Sequence, residues 1–275
     1  MKIINKKILA KTQITKIVQF KLDAPAIAKK AKAGQFVVVM ATEKSERIPL
    51  TLVDSNPKEG TIVLIVQEAG FSTKQLGEFQ EGDSLYSVTG PLGHSTEIKN
   101  HGKIILVGGG VGIAEIYPVA KALKKVGNDL TVIIGAKTKE LLILEKKLKE
   151  LADSLCIATD DGSSGRKGFV TDILDELINK QRYDLVYAVG PLVMMQEVAK
   201  RTKERNIKTL VSLSVLMVDA TGMCGCCRVS VGGETKFACV DGPEFDAHLV
   251  DWGELGKRNN VYKKQENHIC RLNNL

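Results

Sequence analysis

The stretch Lys103-Ile-Ile-Leu-Val107-Gly108-Gly-Gly-Val-Gly112-Ile-Ala114 is an apolar run that enters a glycine-rich turn and then a helical pattern. A buried strand, a glycine turn and a helix in this order are typical of a parallel α/β domain. The turn lets the backbone approach a pyrophosphate, and the helix N-terminus offers N–H groups and a positive dipole end. Unless it is a tight turn that binds nothing, the candidate dinucleotide-binding residues are Gly108, Gly109, Gly110, Val111 and Gly112.

Strands and helices alternate on the C-terminal side of this stretch, which predicts a parallel sheet with helices on both faces over residues 101–213. Further turns follow the later strands, where open α/β sheets bind ligands. They supply Gly135, Ala136, Asp161, Gly190, Pro191 and Met194 as candidates. Lys137 could tolerate a 2′-phosphate, and no acidic residue stands cleanly at the position that marks NAD, so spacing alone leaves NAD(H) and NADP(H) open.

On the N-terminal side, residues 1–100 hold short apolar or alternating runs separated by Gly, Pro and Asn turns, which predicts a small antiparallel barrel. Two segments suggest a flavin site there. Arg47-Ile-Pro49-Leu50-Thr51 offers a guanidinium and a hydroxyl, and Gly70-Phe-Ser72-Thr73 opens a short helix suited to a pyrophosphate. The alternatives are a surface ion pair for Arg47 and a simple helix cap for Ser72 and Thr73. Val66 and Gln67, on the strand before this turn, complete the candidate set.

Four of the six cysteines lie near the C-terminus, in Asp219-Ala-Thr-Gly-Met-Cys224-Gly-Cys226-Cys227 and, after eleven more residues, Cys239. The spacing Asp219-x4-Cys224-x2-Cys227…Cys239 is that of a plant-type [2Fe–2S] loop with a carboxylate in place of the first thiolate. Gly222 and Gly225 let the backbone curl around inorganic sulfide. We predict a [2Fe–2S] cluster on Asp219, Cys224, Cys227 and Cys239.

Three alternatives to this ligand set are open. Zinc sites usually pair two C-x2-C motifs, whereas this chain has one, with Cys226 inside it. The cysteines could also be free thiols. Finally, Asp219 could be a turn residue, with Cys226 as the fourth ligand.

The composition is that of an ordinary globular protein, with 275 residues, 44% apolar residues and a formal net charge of +7. No apolar run is long enough to span a membrane, and no signal peptide or nucleic-acid-binding motif is evident. Cysteines grouped for a metal rather than spread for disulfides suggest a reducing cytoplasm. We see no acid–base dyad and assign no catalytic side chain.

The order of barrel, GGGVGIA turn, AVGPLVMM turn (188–195) and cysteine loop resembles the ferredoxin–NADP reductase superfamily. The loop ending Cys239-Val-Asp-Gly-Pro-Glu-Phe is similar to the electron-transfer subunits of dihydroorotate dehydrogenase. It is closer still to the small subunits of the NADH-dependent ferredoxin:NADP oxidoreductases, the electron-bifurcating transhydrogenases also called sulfide dehydrogenase beta subunits. The dihydroorotate type carries Cys at position 219, and the bifurcating type carries Asp.

This resemblance implies an FAD-binding barrel at 1–100, an NAD-binding domain at 101–213, a cluster domain at 214–255 and a tail at 256–275. It implies FAD at Arg47, Pro49, Leu50, Thr51, Ser72 and Thr73, and NAD(H) at the Gly108–Gly112 and Gly190-Pro191 turns. Two positions depart from the superfamily pattern. Arg47 precedes Thr51 by four residues rather than three, and Glu115 follows Ala114 where Pro is usual.

The function implied is electron transfer between a [2Fe–2S] cluster, FAD and NAD(H) in an electron-bifurcating complex with NADPH and ferredoxin. The partner would be a larger flavin and iron–sulfur subunit, similar to the small subunit of glutamate synthase, which forms a heterodimer with this chain and reduces ferredoxin. One rival function is the electron-transfer subunit of dihydroorotate dehydrogenase. The rival from another class is a zinc-stabilised regulatory subunit without redox activity.

Overall fold

The computed structural model describes residues 1–272, and the last three positions of the expected tail, 273–275, lie outside that part. The chain forms two compact units, neither of which is continuous in sequence. The first, called the barrel unit, comprises Met1–His94, Val215–Pro243 and the chain from Asp251 onward. The second, called the α/β unit, comprises Ser95–Ser214 and Glu244–Val250.

Seven antiparallel strands and two short helices form the first part of the barrel unit. In chain order they are β1 (Ile3–Lys11), β2 (Lys16–Asp23), α1 (Pro25–Ala28), β3 (Phe36–Met40), β4 (Ile48–Thr51), β5 (Asp54–Asn56), β6 (Thr61–Gln67), α2 (Phe71–Glu78) and β7 (Ser87–Leu92). One sheet has the order β1-β2-β6-β5, and the other has the order β4-β3-β7.

Alternation along the strands explains the core of the barrel unit. In β2, Val18, Phe20 and Leu22 are buried, while the polar residues between them face outward. Their partners in β6 are Val66, Leu64 and Ile62, so the two strands present one apolar face. Residues from β3, α1 and α2 pack against that face and close the core.

The α/β unit is built from strands that alternate with helices. In chain order they are β8 (Lys103–Gly109), α3 (Gly112–Lys125), β9 (Asp129–Ala136), α4 (Glu145–Leu151), β10 (Ser154–Thr159), β11 (Arg166–Lys167), α5 (Val170–Lys180), β12 (Leu185–Val189), α6 (Leu192–Glu204) and β13 (Thr209–Ser212). The sheet order is β11-β10-β9-β8-β12-β13, and every pair is parallel.

The central strands of this sheet are apolar on both faces because helices cover both. Ile104, Ile105, Leu106 and Val107 of β8 are completely buried. The strand order runs from β8 to β9 and β10 on one side and to β12 and β13 on the other. The topological switch point therefore lies between the carboxyl ends of β8 and β12, where doubly wound sheets bind ligands.

After β13 the chain returns to the barrel unit as the cysteine loop and the hairpin β14 (Arg228–Val231) and β15 (Glu234–Phe237). It then adds β16 (Glu244–Asp246) antiparallel to β13 at the edge of the α/β sheet. The segment expected as a polar tail is helical, in α7 (Trp252–Asn259) and α8 (Lys263–Leu272). Over residues 1–272, no helix combines the length and apolarity needed to cross a membrane.

Candidate functional site

The predicted dinucleotide turns meet at one edge of the α/β sheet. The amide of Gly110 donates to the carbonyl of Gly135 at 2.8 Å, which ties the turn after β8 to the end of β9. The amide of Asp160 in turn donates to the carbonyl of Ala136 at 3.2 Å, which adds the turn after β10. The sequence candidates in these turns thus lie side by side at the carboxyl ends of the strands.

Close packing explains why the turn after β8 is rich in glycine. A Cβ on Gly112 would lie 2.4 Å from the Val189 carbonyl oxygen, and one on Gly109 would lie 2.4 Å from the Met194 sulfur. Val189 contributes a backbone atom that cannot rotate away, so only glycine fits at position 112, whereas a side chain at position 109 would force Met194 to move. The N-terminus of α3 therefore packs closely against the turn that contains Gly190, Pro191 and Met194.

Asp161 stands exposed at the same edge with its carboxylate anchored. The Ser163 hydroxyl donates to it at 2.6 Å and the Ser163 amide at 3.0 Å. These bonds, the hydroxyl first, lower the pKa of Asp161. The Ser163 hydroxyl also accepts from the Lys139 amide at 2.8 Å. The carboxylate therefore stays ionised and fixed, as a group that could accept bonds from a ribose.

A buried polar network lies inside the α/β unit, and sequence reasoning missed it. The Tyr187 hydroxyl donates to Glu244 Oε1 at 2.8 Å, and the Thr96 hydroxyl donates to the same oxygen. Burial raises the pKa of Glu244 and, together with the charge of Glu244, raises that of Tyr187 well above its usual value. No motif marks these positions, which are separated by 148 residues between Thr96 and Glu244.

The candidate flavin residues of the barrel unit fall into two groups. Pro49, Leu50 and Thr51 are half-buried on β4, while Val66 and Gln67 end β6. At the α2 turn, the Thr73 oxygen accepts from the amides of Ala69 at 2.9 Å and Gly70 at 3.0 Å, so Thr73 caps the helix.

Ser72 differs from its neighbour because its hydroxyl points to a side chain outside the helix, the carboxylate of Glu46. A phosphate bound at this turn would have to displace Glu46. The same loop is held by a second contact, since the Ser45 hydroxyl donates to Gln75 Oε1 at 2.7 Å. The segment Thr42–Arg47, which we call the arginine loop, is thus fastened to α2 just before β4 begins.

The cysteine loop adopts the curled backbone that the glycines predicted, with φ of +83° at Gly222 and +69° at Gly225. Cys227 and Cys239 are buried, and their sulfur atoms lie 3.2 Å apart. Burial and the neighbouring Cys227 thiol raise the pKa of Cys239 to about 12. A metal that binds here must displace this proton.

Cys224 is exposed and lies beside Asp219. The backbone amides of Cys226 and Asp219 lower the pKa of the Cys224 thiol, whereas the Asp219 carboxylate raises it. The Gly222 amide is likewise directed at the Cys239 thiol, and it acts to lower the pKa of that thiol. Amides directed at cysteine sulfurs are the hydrogen bonds that tune iron–sulfur clusters.

The predicted ligands therefore form two pairs, Cys227 with Cys239 and Asp219 with Cys224. Within residues 1–272, no three His, Cys, Asp or Glu side chains converge on a single metal position. Two pairs fit a two-iron cluster, in which each iron takes two protein ligands. They fit a lone zinc ion less well, because it needs four ligands around one point. Cys226 is half-buried next to Cys224, so the pairing alone does not choose between Cys226 and Asp219.

A residue predicted to bind the flavin contacts a residue predicted to bind the cluster within the barrel unit. Arg47 Nη1 lies 3.6 Å from Asp219 Oδ1 and donates to the Asp219 carbonyl oxygen at 3.4 Å. The arginine loop thus contacts both the α2 turn and the cysteine loop. This contact joins positions separated by 172 residues in sequence.

Comparison with known families adds to this geometry. Residues 106–200 match the oxidoreductase NAD-binding domain, and residues 215–251 match the iron–sulfur cluster binding domain of dihydroorotate dehydrogenase B. A Thermotoga maritima homologue of the dihydroorotate dehydrogenase B (NAD(+)) electron transfer subunit is 48% identical over 94% of this chain and 92% of its own length. A probable electron transfer subunit of the same enzyme from Pyrococcus furiosus is 35% identical over 82% of this chain and 83% of its own.

Solved structures agree with the sequence relatives. One, reported for flavin-based electron bifurcation by the NADH-dependent reduced ferredoxin-NADP oxidoreductase, has a TM-score of 0.91 and 47% identity over 97% of this chain and 95% of that chain. Phthalate dioxygenase reductase shares the fold, with a TM-score of 0.61 at 19% identity over 84% of this chain and 85% of its own. The matches confirm the predicted reductase fold and the predicted class, an NAD-dependent flavin and iron–sulfur oxidoreductase subunit.

Proposed function

The chain belongs to the family of dihydroorotate dehydrogenase B electron-transfer subunits and their homologues, and from that premise we propose that it is the NAD(H)-reacting subunit of an electron-bifurcating ferredoxin:NADP oxidoreductase. Asp219, which lies beside Cys224, distinguishes the two types within the family. The resemblance places Asp at this position in the bifurcating type and Cys in the dihydroorotate type. The likeness to the bifurcating oxidoreductase structure over nearly the whole chain supports the same choice.

The residues present fit three redox groups. Asp219, Cys224, Cys227 and Cys239 would hold the [2Fe–2S] cluster, the barrel residues around Arg47 and Ser72 would hold FAD, and the turns at the edge of the α/β sheet would hold NAD(H). A flavin links carriers of one and of two electrons, which is the chemistry needed between a cluster and a nicotinamide. The contact between the arginine loop and the cysteine loop brings candidate flavin residues next to a candidate cluster ligand. This contact supports electron transfer between the flavin and the cluster within the barrel unit.

The corresponding division of the chain is part of the proposal. Residues 1–100 would bind FAD, 101–213 would bind NAD(H), 214–255 would bind the cluster, and 256–275 would be an appended tail. The ionised Asp161 carboxylate in the turn after β10 supports NAD(H) rather than NADP(H), because it would repel a 2′-phosphate bound beside it.

The partner would be a larger flavin and iron–sulfur subunit that reduces ferredoxin, in a cytoplasmic heterodimer. Exposed apolar side chains around the cysteine loop support such a partner, since patches of this kind mark protein interfaces. Met223 is 88% exposed, and Leu216, Val218 and Val240 are 46%, 47% and 38% exposed.

The experiment is an assay of the native complex, isolated through this chain, for NADPH-dependent ferredoxin reduction with and without NAD⁺. Iron, acid-labile sulfide, zinc and flavin are measured on the same sample. Ferredoxin reduction that requires NAD⁺ is expected. Iron and FAD without that coupling would reduce the function to simple electron transfer, and zinc without iron or flavin would favour a regulatory subunit.

The second candidate is the electron-transfer subunit of a dihydroorotate dehydrogenase. It is favoured by the names of the sequence relatives and by the match of residues 215–251 to that enzyme's cluster domain. The partner would then oxidise dihydroorotate. Dihydroorotate-dependent reduction of NAD⁺ by the native complex would establish this candidate and reject bifurcation.

A further inference from the structure

The ion pair between Arg47 and Asp219 links the loop before β4 to the predicted carboxylate ligand of the cluster. Arg47 Nη1 approaches both the side-chain oxygen and the backbone carbonyl of Asp219, at 3.6 and 3.4 Å. The Arg47 side chain is 45% exposed and the Asp219 side chain is 35% exposed. Such a pair contributes little to folding stability, since exposed pairs are worth only ~0–1 kcal/mol. Its significance would therefore lie in what it does to Asp219.

The position of Arg47 is set by the anchoring of the arginine loop. Within the loop, the Thr42 amide donates to the Ser45 hydroxyl oxygen at 2.9 Å, and Ser45 in turn donates to Gln75 of α2 at 2.7 Å. Glu46, the residue next to Arg47, accepts from Ser72 at the start of the same helix. A phosphate at the α2 turn would replace the Glu46 contact, so in the loaded protein the backbone that presents the guanidinium is tied to α2 through Ser45 and Gln75.

We propose that Arg47 is a positioning residue for Asp219 that orients the carboxylate toward the cluster and favours the reduced cluster. This inference rests on the proposed [2Fe–2S] site. A carboxylate has two oxygens, so one can bind iron while the other accepts from Arg47. The guanidinium is always protonated, and a cluster gains one negative charge when it takes up one electron. A fixed positive charge next to a ligand oxygen therefore raises the cluster's midpoint potential.

The test compares Arg47→Gln and Arg47→Lys with the wild type in the intact complex. The cluster is titrated with dithionite as the one-electron reductant, and its signal is followed by electron paramagnetic resonance. We expect R47Q to lower the ratio of reduced to oxidised cluster about tenfold at a fixed potential, which is about 59 mV for one electron. R47K keeps the positive charge but loses the planar guanidinium group. Its midpoint potential should therefore stay close to that of the wild type, while the shape of the electron paramagnetic resonance signal changes.

Lys21→Gln is the matched control. It removes one positive charge from an ion pair of the same unit, between Lys21 on β2 and Glu59 in the turn before β6, at 2.7 Å, and neither residue belongs to the cysteine loop. K21Q should leave both the potential and the signal unchanged. A shift in K21Q equal to that in R47Q would overturn the proposal, because net charge rather than position would then set the potential.

A double-mutant cycle with Asp219→Cys tests whether Arg47 acts through the carboxylate. R47Q should shift the potential less in the D219C background, because a thiolate ligand has no oxygen that accepts from the guanidinium and only the charge of Arg47 still acts on the cluster. An equal shift in both backgrounds, or a wild-type potential and signal in R47Q, overturns the proposal. If R47Q assembles without iron while R47K and K21Q keep it, the requirement for a charge at this ligand is supported.

Failure of the proposed function can be told apart from failure of this inference. A wild-type complex without a [2Fe–2S] signal rejects the cluster itself, and with it the basis for both. A normal wild-type signal that does not respond to R47Q rejects only the role of Arg47. Flavin content is measured in each variant, so that a change in cluster potential is compared only between samples with equal FAD.

Discussion

The Tyr187 hydroxyl lies 2.8 Å from Glu244 Oε1, and this bond fastens the last strand of the α/β sheet to its centre. Tyr187 is on β12, beside the switch point, and Glu244 begins β16 at the sheet edge. Tyr187 is only 2% exposed. The half-buried Glu244 carboxyl group with two buried hydroxyl donors, Tyr187 and Thr96, is a satisfied network whose members depend on one another.

Tyr187→Phe should lower the free energy of unfolding by about 1 kcal/mol, because it leaves the half-buried Glu244 with one donor fewer. The measurement is urea unfolding of the purified chain at neutral pH. Tyr86→Phe is the matched control, since Tyr86 is 57% exposed and should tolerate the change. Equal stability of Y187F and the wild type would show that the bond contributes nothing.

Glu244→Gln should change how stability depends on pH. Burial raises the folded-state pKa of Glu244 above its unfolded value, so its contribution to stability is fully present below the unfolded pKa, about 4.3, and is lost as pH rises through the folded pKa. The substituted glutamine would accept the same two bonds through its amide oxygen but could not ionise. E244Q should therefore gain stability relative to the wild type as pH rises from about 4 to 7.

His248 in the same unit contributes to stability with the opposite dependence on pH. Burial lowers its pKa, so its contribution is present above the unfolded pKa, about 6.5, and is lost as pH falls through the folded pKa. The pH dependence of stability in E244Q and in the wild type should therefore share the acid-side loss due to His248, and only the wild type should lose the contribution of Glu244 as pH rises. A constant difference between them across this range would contradict the assignment.

Local patterns explain which parts of the fold can be predicted from sequence. The strands Thr61–Gln67, Ser154–Thr159 and Leu185–Val189 coincide with apolar runs of the sequence, because those runs end at turn residues. The pattern does not predict β1, because it is a lysine-rich edge strand with most side chains exposed. A helical pattern of residues begins at Glu140, but α4 begins at Glu145, because a short 3₁₀ turn and Leu144 at φ +56° intervene.

Features that depend on contacts between residues far apart in the chain cannot be predicted from local sequence patterns. Each of Arg47 and Asp219 is predicted at a cofactor site, yet nothing in either motif indicates that they touch. The three-residue strand β16 and the Glu244 network depend on pairing with β13 and on Tyr187, far away in the chain. The helices α7 and α8 contain few apolar residues, so the apolar face that signals a packed helix is sparse there.

Gly112→Ala should impair NAD(H) binding while leaving the cluster in place. The added methyl would lie 2.4 Å from the Val189 carbonyl oxygen, a backbone atom that cannot rotate away, so the start of α3 must shift. We expect at least about tenfold weaker NADH binding by calorimetry, since the dinucleotide turn is built on this approach. Gly253→Ala in α7 is the control, because its methyl would meet only ordinary contacts. Unchanged affinity in G112A would place the dinucleotide elsewhere.

Cys226→Ser should retain the cluster, and Cys224→Ser should lose it. Both thiols lie in the same loop and within reach of each other, so the pair of variants is a matched comparison. The predicted ligand set leaves about two irons per chain in C226S, with an unchanged electron paramagnetic resonance signal. Loss of iron from C226S, with retention in Asp219→Ala, would instead make Cys226 the fourth ligand and Asp219 a turn residue.

Met223→Asp should weaken assembly with the larger subunit. Met223 is 88% exposed within the cysteine loop, and a charge placed in an apolar contact that excludes water should cost at least about 1.4 kcal/mol, or about tenfold in affinity. Ile14→Asp is the matched control, since Ile14 is 83% exposed in the turn between β1 and β2 and is not part of the cysteine loop. The affinity of each variant for the purified partner subunit is measured by calorimetry, alongside iron content to confirm that the loop is intact. Equal weakening by I14D, or full affinity in M223D, would move the partner interface away from the cysteine loop. Electrons would then have to enter this chain by a route other than the exposed side of its cluster.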